Sequence, residues 1–96
     1  MVAEDPPGTP AGYVMATTDV DYFSRKRHAY VEILAVAEAA AGRGLGRALL
    51  ESAEDWGRRL GYTQITLNVF AANRAARGMY EHLGYQAETV RYRKPL

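Results

Sequence analysis

Tyr30-Val31-Glu32-Ile33-Leu34-Ala35-Val36 is followed by Gly42-Arg43-Gly44-Leu45-Gly46-Arg47, and that turn opens directly into an apolar-periodic run ending at Leu60. A β-forming stretch, a glycine-rich turn and a helix start, in this order, place the chain in an α/β architecture. Leu45, Ala48, Leu49, Ser52, Ala53, Trp56 and Leu60 recur at steps of three and four, the signature of an amphipathic helix. The first backbone N–H groups of such a helix lack internal partners, and the macrodipole adds about half a positive charge there. Glycines let an anion reach the main chain, and Arg43 and Arg47 bring charge to the same turn. The junction reads as an anion site.

Composition sets the outer limits. At 96 residues, with 48% hydrophobic and 24% charged content, the chain is expected to form one domain spanning residues 1–96. A net charge of +1 gives no mandate for nucleic acid or membrane as a partner, and the absence of cysteine excludes disulfides and a thiol nucleophile. No segment resembles a signal peptide or a membrane span, so the expected location is cytoplasmic.

The remaining elements follow from local pattern. Val2 to Pro10 holds three of the four prolines and reads as a short edge strand or an arm. Gly12 to Thr17 and His28 to Val36 read as strands joined by a polar loop over Asp19 to Arg27. Thr63 to Phe70 returns to strand character, and Asn73 to Leu83 is expected to form a second helix. Gly61 and Gly84 supply the stops, both within Leu-Gly-Tyr. Tyr85 to Arg93 is expected as a closing strand, giving the order β-β-β-α-β-α-β.

Two motifs together are specific: the Gly42 to Gly46 turn, and Asn73-x-x-Ala76-x-x-x-Tyr80-x-x-x-Gly84-Tyr85 downstream. With the strand between them, this pattern resembles the GNAT N-acetyltransferase superfamily over most of the chain. It is not the dinucleotide fingerprint, since Ala48 and Leu49 stand where a third glycine would fall. The resemblance implies a mixed, mostly antiparallel sheet flanked by helices, with a parallel, splayed pair between Tyr30–Val36 and Thr63–Phe70. The family's first strand and first two helices have no counterpart here. Where the family usually carries Arg or Gln before the Gly-x-Gly pair, this chain has Ala41.

The resemblance further implies acetyl-CoA as cosubstrate and a primary amine, on a small molecule or a peptide, as acceptor. Arg43, Gly44, Leu45, Gly46, Arg47 and Ala48 would hold the pyrophosphate. The main chain of Leu34, Ala35 and Val36 would run beside the pantetheine arm, with the Val36 N–H as oxyanion donor. Tyr80 would protonate the departing thiolate, and Asn73 would touch the cofactor arm. The base is not fixed by the motifs; Glu32 is the first candidate, ahead of His28 and Glu38. Plainer roles stand beside these: Asn73 as a helix N-cap, Tyr80 as a core aromatic, Glu32 as a surface residue. A non-catalytic acetyl-CoA-binding module is the alternative function. With no metal, nucleic acid or membrane expected, the remaining partner is a second copy in a homodimer, because the absent helices would leave apolar surface open.

Overall fold

The computed structural model describes residues 2–4, 10–36 and 44–96. Four strands, β1 (Val2–Glu4), β2 (Pro10–Val20), β3 (Arg27–Val36) and β4 (Ile65–Leu67), lie side by side in sequence order. The two inner and outer hairpin partners run antiparallel, and β4 joins β3 in parallel, with Ala29 opposite Ile65 and Val31 opposite Leu67. Helix α1 (Leu45–Arg59) covers one face of the sheet, and α2 (Arg74–His82) follows β4. This is the expected mixed, mostly antiparallel sheet with its helices. The parallel pair also splays as expected: its register stops at Val31, while β3 continues for five more residues without β4 beside it.

A bulge in β3 was not visible in the sequence. Met15 pairs with Ile33 and Ala16 with Val31, so Glu32 is left without a partner in β2. The extra residue shifts the side-chain alternation. Ala29 and Val31 face α1 before the bulge, and Leu34 and Val36 do so after it, opposite Val14 and Gly12. The core under α1 is Val14, Val31, Leu49, Leu50 and Ala53. Gly12 permits the tight approach at the far end of this layer, since a Cβ there would lie 2.6 Å from the Ala35 carbonyl oxygen.

Both helices end in the same way. The N–H of Tyr62 donates to the Gly57 carbonyl and that of Gly61 to Arg58; Tyr85 and Gly84 repeat the pattern on Tyr80 and Glu81. In each case the tyrosine ring then packs back on its own helix, Tyr62 against Trp56 and Tyr85 against Tyr80. The repeated Leu-Gly-Tyr is thus a helix-ending motif with its hydrophobic contact.

Three expectations need correction. The closing strand over Tyr85 to Arg93 does not form: no strand among the described residues pairs with it, and Val90 and Tyr92 are 77% and 92% exposed. β-Propensity reflects packing on a sheet, and here the alternating apolar residues have no sheet beneath them. Strand β4 is limited to Ile65–Leu67 because its ladder to β3 ends there. The loop expected over Asp19 to Arg27 shrinks to residues 21–26, both strands running on into the hairpin.

Candidate active site

Helix α1 begins at Gly44, which takes a left-handed conformation (φ 75°) that a side chain would strain. No side chain caps this end, and no acidic residue sits in the first turn. The first intrahelical bond runs from the Ala48 N–H to the Gly44 carbonyl at 3.0 Å. The N–H groups of Leu45, Gly46 and Arg47 therefore point out of the helix without an internal partner, while that of Ala48 is engaged. Three donors at the positive end of a 15-residue helix suit an anion.

Beside them is the bare edge of β3. The Ala29 N–H donates to the Gln64 carbonyl at 3.0 Å, toward β4. In a strand of L-residues the side-chain face and the direction of the peptide groups are linked. Leu34 and Val36 share the Ala29 face, so their N–H and C=O groups point to the same edge. Past Val31 that edge carries no strand among the described residues. It is a template for an extended, amide-bearing chain, the same physics by which peptides add to sheet edges.

An open groove of about 470 Å³ joins the two features. Leu34 and Val36 form one side, Gly44 to Arg47 the head, and Met79, His82 and Leu83 of α2 the other wall. Met79 reaches over the start of α1: its Sδ would lie 3.6 Å from a Cβ on Gly46. Sequence reasoning missed the α2 wall, although positions 79, 82 and 83 carry the spacing of three and four that marks a single helical face.

The other expected residues fall as follows. Arg47 lies at the groove, but its Nε donates to Glu51 Oε1 at 3.0 Å, both side chains being well exposed. Asn73 is the N-cap of α2, its side-chain oxygen accepting from the Ala76 N–H at 3.2 Å. Tyr80 packs against the core, with its ring centroid 5.9 Å from that of Tyr85. Burial pushes the Tyr80 phenol above its ordinary value, so it stays protonated at neutral pH. Glu32 sits at the bulge and is exposed, and Ala35 faces away from α1, opposite Tyr13. His28 is buried at the start of β3, bonded through Nε2 to Thr66 Oγ1 at 3.0 Å. Arg43 and Glu38 lie outside the described residues. The structure thus brings Leu34, Val36 and Gly44 to Arg47 together, and keeps Glu32, Asn73 and Tyr80 off the groove lining.

Comparison with known proteins points the same way. The family model described as Acetyltransferase (GNAT) family matches residues 1–85. The uncharacterized N-acetyltransferase YdgE of Bacillus subtilis is 32% identical over 71 residues, 74% of this chain and 45% of that protein. The mycothiol acetyltransferase of Beutenbergia cavernae is 44% identical over 60 residues, 62% of this chain and 20% of that protein. A candidate acetyl transferase from Pyrococcus furiosus superposes with a TM-score of 0.90 at 33% identity, over 99% of this chain and 63% of its own. AAC(6')-Iy, solved with the bisubstrate analogue CoA-S-monomethyl-acetylneamine, shares the fold with a TM-score of 0.82 at 20% identity. The chain spans under half the length of these two curated relatives.

Proposed function

Because the chain belongs to the acetyltransferase (GNAT) family, we propose that it transfers an acetyl group from acetyl-CoA to a primary amine by direct attack. One observation carries this reading: three N–H groups at a helix start, unpartnered among the described residues, adjoin a strand edge whose main-chain groups are bare among those same residues. The N–H groups of Leu45, Gly46 and Arg47 would hold the diphosphate, each charge-assisted bond contributing roughly 1.5–3 kcal/mol. Leu34 and Val36 would pair with the amides of the pantetheine arm. The thioester supplies an activated acyl carbon. As the amine attacks that carbon, the Val36 N–H would stabilise the developing oxyanion. The Tyr80 hydroxyl, without a hydrogen-bond partner among the described residues, would give its proton to the leaving thiolate. Glu32, unpaired at the bulge and open to solvent, would take the amine's proton directly or through water. The name of the mycothiol acetyltransferase, and that of the structural neighbour AAC(6')-Iy as an aminoglycoside N-acetyltransferase, favour a small polar amine as acceptor.

We also propose a homodimer, on the strength of Tyr13, Met15 and Ile33, which are 42%, 46% and 41% exposed on the sheet face away from α1. Light scattering at micromolar concentration should give twice the chain mass, and a monomer would remove the idea. For the activity, thermal unfolding with CoA at about a hundred times its dissociation constant should show some 2.7 kcal/mol of added stability. In a domain of this size that raises Tm by about 10–20 °C. Acetylation of a panel of amines by the same sample then separates an enzyme from a binder. No shift with CoA would sink the reading.

A further inference from the structure

The hairpin between β2 and β3 ends in a turn fixed by its own hydrogen bonds. The Asp21 N–H donates to the Lys26 carbonyl and the Arg25 N–H to the Asp21 carbonyl, both at 2.9 Å. Asp21 Oδ2 accepts from the Ser24 N–H at 2.9 Å, and Arg25 adopts a φ of 60°. What this turn holds out is two aromatic rings. Tyr22 is 86% exposed and Phe23 90%, packed edge to face with centroids 5.3 Å apart. After Ser24 come Arg25, Lys26 and Arg27, exposed, and none has a side-chain partner among the described residues. The nearby carboxylates are occupied: Asp21 within the turn, Asp19 by the Val20 N–H at 2.8 Å and beside His28 at 4.0 Å. The whole-chain charge of +1 conceals this gathering of unpaired cations behind two rings.

The tip lies far from the groove. Strand β3 runs from Arg27 at the hairpin to Val36 at the groove, ten residues or about 30 Å. The rings contribute nothing to the core, and a short turn can be polar at no loss to the fold.

We propose that this tip docks on an anionic lipid surface, Tyr22 and Phe23 entering the headgroup boundary while Arg25, Lys26 and Arg27 meet lipid phosphates. Aromatic rings favour that depth, and cations behind them are drawn by the negative surface potential. A protein partner fits less well, since stable protein interfaces need about 800 Å² per side and a six-residue convex turn offers far less. Single-stranded nucleic acid also fits less well: stacked bases need ring faces presented as platforms, and an edge-to-face pair turns one ring against the other.

Co-sedimentation of the full chain with phosphatidylglycerol–phosphatidylcholine vesicles tests this. Binding should be present with the mixed vesicles, absent with phosphatidylcholine alone, and released by high salt. The double change Tyr22→Ser, Phe23→Ser should lower the partition coefficient by about ten-fold. The pair Arg25→Gln, Lys26→Gln should lower it by about twenty-five-fold. Both pairs touch only exposed side chains, and unfolding midpoints equal to that of the parent chain confirm that each variant is folded. Failure to sediment with anionic vesicles, binding by either variant equal to that of the parent chain, or displacement of the vesicles by oligouridylate would overturn the proposal.

Discussion

Tyr80 combines two demands in one side chain. Its carbonyl accepts the Tyr85 N–H that ends α2, and its ring packs on the core, so the hydroxyl is held by structure before any ligand arrives. Tyr80→Phe preserves both contacts and removes only the hydroxyl. Turnover should fall by about a hundred-fold or more while CoA affinity holds, as calorimetry and steady-state rates would show. A parallel loss of both would assign Tyr80 to binding instead. Arg47 carries a different expectation. Its guanidinium is tied to Glu51 in an exposed pair of the kind that contributes about 0.2–1 kcal/mol. Glu51→Gln should release that charge toward the groove and tighten CoA binding by about two- to five-fold, an effect that added salt should erase.

At the scale of elements, α2 is the informative case. It buries no residue completely and leans on Met79, Tyr80 and Leu83, so its ends matter more than its interior. Asn73→Ala removes the cap and should cost about 1 kcal/mol of unfolding free energy, whereas Asn73→Asp keeps the cap and should cost little. If Asn73 also touches the cofactor arm, the Asp variant will unfold like the parent chain yet bind CoA more weakly. Both helices were legible in the sequence because periodicity and the Leu-Gly-Tyr stops agreed. The parallel pairing of β3 with β4 was legible only through resemblance. Neither pattern nor resemblance exposed the bulge: β3 is apolar on both faces, so a slip in alternation leaves no trace in its residues. The tail after Gly84 misled for the opposite reason. Its Val90 and Tyr92 alternate as in a strand, but alternation is a demand for a partner rather than evidence of one.

At the scale of the whole molecule, a polar contact joins the two helices. The Tyr85 hydroxyl, just past α2, donates to Glu54 Oε2 on α1 at 2.7 Å, and Glu54 in turn lies 3.7 Å from Arg58. Burial first, and then the bond and charge of Glu54, drive the Tyr85 phenol well above its ordinary range. The folded chain therefore holds this proton more tightly than the unfolded chain. That stabilisation is complete below about pH 10 and is lost as pH climbs through the folded-state value. Urea midpoints should fall above about pH 10, and Tyr85→Phe should flatten that fall. The bulge at Glu32 has a reach of the same order. One supernumerary residue works as a frameshift in three dimensions: draw Glu32 into regular pairing with β2, and Ile33 and Ala35 would sit beneath α1 while the peptide groups of Leu34 and Val36 swung back toward β2. The protein could keep every element it has and still lose the bare strand edge that adjoins its groove.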